Sequence, residues 1–223
     1  MFSFNWIQCL GLSVALVIPE LPALARSVPK EPVILTIFMH NDAGIPWETL
    51  RLAEEEASHV FREARIEIQW RNCPEASDGS DALQTKNCAE AVFPKHLHLR
   101  IAKRSIGLSP DVMGISFLSE GGSGCQADLF YEEMEALRER SNASLASILG
   151  YVAAHEIGHL LLGTNSHASQ GIMRAVWEHD ELVTASRGAL FFSEKQFKRM
   201  RARLERFTAP AGVLRASDRQ LQD

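Results

Sequence analysis

Residues 155–167, HEIGHLLLGTNSH, place three histidines and a glutamate at spacings that suit a metal site. Four residues along a helix advance about 400° and about 6 Å, so His155 and His159 project from one face, one turn apart. Glu156 lies about 100° around the helix from His155, where its carboxylate can act as a general base on water at the metal. The pattern predicts a helix that offers two imidazole ligands and a base to one ion.

A catalytic zinc site takes three protein ligands and one open position, so a third ligand must come from outside this helical face. If the helix simply continued, His167 would lie about 12 Å beyond His159 along the axis. Gly163, followed by the polar residues 164–166, predicts a break, because glycine adopts the left-handed conformation that ends helices. After such a break the chain can return and bring His167 to the metal.

The segment HEIGHLLLGTNSH, followed four residues later by Gly171-Ile172-Met173, resembles the metzincin clan of zinc peptidases, whose long consensus is HExxHxxGxxH with a methionine-containing turn. The resemblance implies an α+β zincin fold. Its parts are a twisted mixed β-sheet with an antiparallel edge strand, a backing helix, an active-site helix and a small C-terminal subdomain ending in a helix. Met173 would be the Met-turn residue, and Gly124–Tyr131 the edge strand to which substrate adds as a further β-strand.

The same resemblance implies a function. The chain would be a secreted metalloendopeptidase that binds one catalytic Zn²⁺ through His155, His159 and His167 and hydrolyses peptides or proteins, with Glu156 as general base. The alternative from another class is a non-catalytic exported zinc-binding module. Glu156 argues against that alternative, because a structural zinc site needs no base and usually closes its fourth position with Cys or His.

The sequence departs from the metzincin consensus in the position of the third ligand. The glycine, Gly163, falls one residue late, and His167 falls two residues late. We favour a longer loop with His167 still the ligand. Glu178 and Glu181 are the alternatives, because gluzincin-type peptidases take a glutamate from a following helix. His179 is a weaker candidate, and Asn165, which occupies the consensus position, is a poor zinc donor.

Residues 1–25 have the features of a secretory signal peptide. An uncharged apolar run from Ile7 to Ile18 is followed by prolines and by Ala23-Leu24-Ala25. The run is shorter than the roughly 20 residues that span a bilayer. We therefore expect cleavage after Ala25, a secreted or periplasmic protein and no stable membrane insertion afterwards. No Lys or Arg precedes the run, and an uncleaved N-terminal anchor is the alternative.

The 223 residues, 46% of them hydrophobic, suit a single globular domain, which we place at 26–208, with 209–223 as a disordered tail. The net charge is -5, and neither sign forms a long block, which argues against a nucleic-acid partner. In an oxidising compartment Cys73 and Cys88 are the natural disulfide pair, and Cys125 is left odd.

Hydrophobic periodicity predicts the elements that must position the motif. We expect strands at 33–41, 64–70, 96–102, 113–119 and 125–131, and helices at 46–64, 141–162 and 193–207. His96 and His98 share one face of a strand and could hold a metal. We favour ordinary solvated strand histidines, because no third ligand is nearby in the sequence.

Overall fold

The computed structural model describes residues 31–74, 88 and 93–206. The expected signal peptide at 1–25 and the expected tail at 209–223 lie outside the described residues. In chain order the elements are β1 Val33–His40, α1 Trp47–Arg62, β2 Ile66–Cys73, β3 His96–Ala102, β4 Gly114–Phe117, β5 Gln126–Phe130, α2 Tyr131–Arg140, α3 Leu145–Leu162, α4 His179–Ser186 and α5 Glu194–Arg206.

The strands of the described region form one mixed sheet in the order β2-β1-β3-β5-β4. Strands β2, β1, β3 and β5 run parallel, and β4 pairs antiparallel with β5 at the end of the sheet. An α+β fold with an antiparallel edge strand was predicted from the sequence, and it is confirmed.

The predicted location of that edge strand is wrong. Residues 126–130, inside the segment Gly124–Tyr131, form an interior strand that is parallel to β3, and the antiparallel edge is β4. The glycines that suggested an exposed edge instead form the tight turn between β4 and β5. In that turn Gly122 adopts a positive φ and its N–H donates to the Ser119 carbonyl at 2.9 Å.

One face of the sheet is apolar and packs against the helices. Alternate residues of β1 and β3 are fully buried, as the two-residue period of a strand requires; they are Leu35, Ile37, Leu97, Leu99 and Ile101. Helices α1 and α3 contact this sheet and each other. At Gly150 the two helices touch so closely that a Cβ would lie 2.6 Å from the Ala53 carbonyl oxygen. A glycine is therefore needed at this crossing.

Helix α3 is the centre of the fold. It begins at Leu145, a few residues after the predicted start, because the Ser144 hydroxyl caps it by accepting the Ser147 N–H at 3.1 Å. Within the described residues it is the one helix long and apolar enough to cross a membrane. Nearly all of its side chains are buried among other side chains, so its apolar character is that of a core helix.

Two short helices were not predicted. Helix α2 buries only Met134, so it shows little hydrophobic periodicity, although acidic residues in its first turn and basic residues in its last complement the helix dipole. Helix α4 is started by a reciprocal capping pair, Glu178 and Glu181. Each helix is specified by charges and caps, which a search for apolar stripes does not detect.

The cysteines and the strand histidines also have defined places. Cys73 and Cys88 form a disulfide, and Cys125 is a half-buried free thiol. His98 stacks on Phe38 and lies with its Nδ1 3.1 Å from Nε2 of His40. In the part of the chain that is described, these histidines do not belong to a group of three potential metal ligands.

Candidate active site

Helix α3 carries the first three functional side chains into the protein interior. His155, Glu156 and His159 are each at most 8% exposed, although their helix is otherwise almost entirely apolar. Ionisable groups are rarely buried in such surroundings unless partners compensate for their lost hydration. The partners therefore indicate what the site is built to do.

Two backbone carbonyls determine which ring nitrogen carries the proton in His155 and in His159. Nδ1 of His155 donates to the Ile172 carbonyl at 2.6 Å, and Nδ1 of His159 donates to the Thr164 carbonyl at 2.7 Å. A carbonyl can only accept, so each Nδ1 carries the proton and each Nε2 carries a free lone pair. The two Nε2 atoms lie 3.0 Å apart. The unprotonated Nε2 atoms of both rings therefore point toward the same position.

The helix ends in the way that the motif requires. Gly163 has φ 66° and ψ 38°, the left-handed conformation, and its N–H donates to the His159 carbonyl at 2.8 Å. Its backbone packs against Gly122, and the Arg203 guanidinium donates to the Gly122 carbonyl at 2.6 Å. The turn that follows is therefore held by the β4–β5 turn and by α5.

His167 is returned to the other two histidines by this turn. Its ring centroid lies 4.9 Å from that of His159 and 5.4 Å from that of His155. One nitrogen of each ring lies within 4.8 Å of the others, so the three could hold one ion. The next residue, Ala168, donates its N–H to the Met173 carbonyl at 2.7 Å, which ties the loop to the turn beneath the site.

Met173 lies under the histidine-bearing helix and is almost completely buried. A Cβ added to Gly158 would lie 2.9 Å from the Met173 sulfur and 2.5 Å from the Phe192 ring. Met173 therefore packs against the bare backbone of the helix turn between His155 and His159. This contact supports the helix from below.

The alternative third ligands have other partners. Arg174 forms ion pairs with Glu178 at 2.8 Å and with Glu181 at 2.9 Å, and neither glutamate lines the cavity that contains the histidines. His179 is exposed at the start of α4, whereas Asn165 does line the cavity. Within the described residues, the group of potential ligands consists of the three histidines alone.

Glu156 faces the same cavity. Its carboxylate accepts a 2.6 Å hydrogen bond from the Ser116 hydroxyl, which also lies 2.9 Å from the Glu156 backbone oxygen. Burial raises the pKa of Glu156 to about 7, against the lowering effect of the Ser116 bond. A carboxyl group whose pKa is close to neutral can both take and release a proton at physiological pH.

The cavity has a volume of about 480 Å³ and opens beside the edge strand. Its walls come from β4 and the loop before it, from α3, and from the loop that contains Trp177. Trp177 is fixed by donating its indole N–H to the Ile172 carbonyl at 3.1 Å, the same oxygen that accepts from His155. Most of the lining is apolar around the central histidines and glutamate.

The donor set fits a zinc ion. Burial lowers the pKa of all three histidines, that of His155 to about 3, so the rings are neutral and available as ligands. Two bare Nε2 lone pairs 3.0 Å apart repel each other, and a cation between them turns that repulsion into attraction. Three neutral imidazoles with an open fourth direction are the ligand set of catalytic zinc.

Comparisons with known proteins give a match for the fold and none for the sequence. No protein-family model matches the chain, and no curated protein matches it. Archaemetzincin from Methanopyrus kandleri has a similar structure, with a TM-score of 0.51 and 12% identity, over 80% of this chain and 99% of that one. At this identity the match establishes the fold alone, which this chain shares with that archaemetzincin.

Two further solved structures are similar over large parts of the chain. A zinc-dependent peptidase from Methanocorpusculum labreanum has a TM-score of 0.49 and 19% identity, over 74% of this chain and 99% of that one. Metalloproteinase-II from Bacteroides fragilis has a TM-score of 0.48 and 14% identity, over 79% of this chain and 55% of that one.

Several groups that hold the site from outside the motif could not be predicted from the sequence. The Ile172 and Thr164 carbonyls leave no trace in side-chain patterns, and the long-range contact of Arg203 cannot be read from helix periodicity. Ser116 did leave a signal. Side chains alternate between the two faces of a strand, so Ser116 lies on the same inward face of β4 as Gly114. A buried polar side chain needs a hydrogen-bond partner, and this requirement could have pointed to Glu156.

The first prediction concerns the helix end. Gly163→Ala places a Cβ at positive φ, 1.9 Å from an Arg203 nitrogen and 2.7 Å from the Gly122 carbonyl. We expect the free energy of unfolding to fall by about 2–5 kcal/mol from strain plus overpacking, and zinc affinity to fall at least tenfold. Chemical unfolding and metal titration measure these quantities.

A matched control separates strain from contact. Gly44 also has a positive φ, but a Cβ there meets nothing within 4 Å. Gly44→Ala should therefore cost only the conformational strain, about 1–2 kcal/mol, and leave zinc affinity unchanged. Equal losses in the two variants would contradict the role given to the Gly163 contacts.

The second prediction concerns the metal-free protein. A histidine whose folded pKa is lowered leaves the unfolded chain with more bound protons below about pH 6.5, so stability falls as the pH drops through that value. His155, His159 and His167 are all shifted this way, whereas Glu156, shifted upward, acts in the opposite direction. Unfolding by urea at pH 8 and pH 5 should show the loss.

One variant measures the contribution of His155 to this loss. His155→Gln removes one of the shifted groups and should make the pH dependence shallower. Identical pH profiles for the wild type and His155→Gln would show that this histidine does not contribute.

Proposed function

We propose that this chain is an exported zinc-dependent endopeptidase. The observation that carries the proposal is the convergence of three imidazoles, two of them with Nε2 bared by backbone carbonyls, beside a buried glutamate in an open cavity. A structural zinc site, which only stabilises the fold, needs neither the cavity nor the glutamate. The fold, which is similar to that of archaemetzincin from Methanopyrus kandleri, supports the same conclusion.

His155, His159 and His167 would hold the zinc ion. When bound, zinc supplies Lewis acidity, which makes water a stronger nucleophile near neutral pH and polarises the carbonyl of the scissile peptide. The Nδ1 hydrogen bonds to Ile172 and Thr164 keep two of the rings in the tautomer that a metal requires. Glu178 and Glu181 remain in their ion pairs with Arg174.

Glu156 would act as the general base and then as the general acid. Its carboxylate accepts a proton from the attacking water and delivers it to the leaving amine nitrogen. In the metal-free site burial raises the pKa of this carboxyl group, which makes it a stronger proton acceptor than an exposed glutamate. The carboxylate lies at the wall of the cavity, so it can reach the reacting atoms once a peptide is bound.

The substrate would be an extended peptide or protein segment that lies along β4. This strand is the last in the described sheet, and its outer side has no strand partner among the described residues. A peptide can add to such an edge through main-chain hydrogen bonds, which are largely independent of its sequence. The sequence predicted this mode for Gly124–Tyr131, and the strand order supports Gly114–Phe117 instead.

Export is the remaining part of the proposal. The apolar run and the Ala23-Leu24-Ala25 triplet support a secreted or periplasmic location, and the Cys73–Cys88 disulfide suits an oxidising compartment. N-terminal sequencing of the protein recovered outside the cytoplasm tests it, and a mature chain that begins at Arg26 is expected.

The third prediction tests catalysis. Full-length protein, produced with its own N-terminal segment and purified after export, should hydrolyse an unstructured, fluorescence-quenched protein substrate when loaded with zinc. Glu156→Gln should lower kcat by at least 10³-fold, because it removes the base, and should still bind one zinc ion. Chelation should abolish activity, and added zinc should restore it.

The result also separates this function from a zinc-binding module. A wild-type protein that binds one zinc tightly but cleaves no tested substrate, with Glu156→Gln behaving identically, would favour the module. Failure to bind zinc at all would overturn the site assignment as well.

The fourth prediction identifies the third ligand. His167→Ala should weaken zinc binding by at least 10²-fold, because it removes one of three donors. Glu178→Gln is the matched control, since this exposed carboxylate pairs with Arg174 and should leave zinc affinity within twofold. Isothermal titration at a fixed pH measures both affinities. The opposite ranking would assign the metal to a gluzincin-type glutamate.

A further inference from the structure

The edge strand β4 contacts the Glu156 carboxylate through two residues on the same face. Ser116 is only 5% exposed, and its hydroxyl lies 2.6 Å from Glu156 Oε2 and 2.9 Å from the Glu156 backbone oxygen. Because the hydroxyl can both donate and accept, it can hold the carboxyl group in either protonation state. The serine therefore fixes one oxygen of the group without fixing its charge.

Gly114 limits the carboxylate from the other side. A Cβ built on Gly114 would lie 2.7 Å from Glu156 Oε1, 2.8 Å from Cγ and 2.9 Å from Cδ. Real Cβ contacts are not that short, so the glutamate side chain lies directly against the bare Cα of the strand. Every other residue type at this position would push the carboxylate away from its present place.

We infer that Gly114 and Ser116 are positioning residues for Glu156, and that β4 sets the place of the base relative to the substrate. The inference rests on the proposed function, in which Glu156 is the base and β4 carries the peptide. If both assignments hold, the strand that aligns the peptide backbone also fixes the oxygen that takes the proton. The distance between base and scissile bond is then set within one element.

Such positioning matters because a glutamate has three side-chain torsions and would otherwise sample several positions in the cavity. Effective catalysis requires the reacting groups to be held close to their productive geometry, and a displacement of about 1 Å can cost on the order of 10²-fold. Groups that orient a catalytic residue commonly contribute tenfold to a hundredfold.

The test compares three variants of the full chain, loaded with zinc. Ser116→Ala removes the hydrogen bond, Ser116→Thr keeps the hydroxyl, and Gly114→Ala displaces the carboxylate sterically. We expect kcat to fall about tenfold to a hundredfold for Ser116→Ala and for Gly114→Ala with KM within twofold. Ser116→Thr should recover most of the loss.

Two controls match the chemistry of these changes. Ser186→Ala removes a hydroxyl from the exposed end of α4, and Gly121→Ala adds a methyl group that would lie 3.9 Å from the Ser119 hydroxyl oxygen. Both should leave kcat and KM unchanged. Zinc affinity, measured by competition with a chromophoric chelator, should stay within threefold of the wild type in all five variants.

A readout independent of activity completes the test. Crystal structures of zinc-loaded wild type, Ser116→Ala and Gly114→Ala should show the Glu156 carboxylate displaced in both variants and the three histidines unmoved. An unmoved carboxylate in both variants overturns the positioning role whatever the kinetics show. Parallel loss of zinc affinity also overturns it, because the residues would then serve the fold. A wild type without Glu156-dependent activity overturns the proposed function instead.

Discussion

The end of helix α3 at Gly163 is the constraint on which the rest of the site depends. An unbroken helix would carry His167 far from His155 and His159, and no rotation of side chains could recover the distance. The left-handed glycine turns the chain at once, and its backbone packs closely against that of Gly122. The third imidazole therefore reaches the others because one residue lacks a side chain.

That turn also determines the chemistry of the second histidine. The residue after the glycine, Thr164, presents its carbonyl to Nδ1 of His159, as Ile172 does for His155 further along the same return. The chain segment that brings the third ligand thus sets the tautomers of the first two. Such coupling makes the site cooperative: a shift of the return loop would disturb ligand position and ligand protonation together.

The parts of the site that depend on local backbone geometry could be predicted from the sequence. The shared face of His155 and His159, the break at Gly163 and the fold class could be predicted because helix pitch and glycine conformation are local properties. The edge strand was misplaced because strand order depends on pairing between distant segments. Glycines beside a strand mark a turn and an edge equally well, and only the partners of β5 distinguish the two.

Regular elements and loops contribute different parts of the cavity, and this difference matters for substrate selectivity in the proposed function. The functional groups come chiefly from α3 and are supported by β4, elements whose backbone positions are fixed by the sheet and the core. The remaining cavity wall comes from the loops 109–113 and 174–177, which contribute mainly apolar side chains. Loops can vary without disturbing the helix and strand that carry the functional groups. In the proposed peptidase, differences in substrate preference are therefore expected to arise from loops 109–113 and 174–177. Of the two charged residues in these loops, Arg174 is paired with Glu178 and Glu181, and Asp111 lines the cavity, so the wall combines an apolar surface with one acidic side chain.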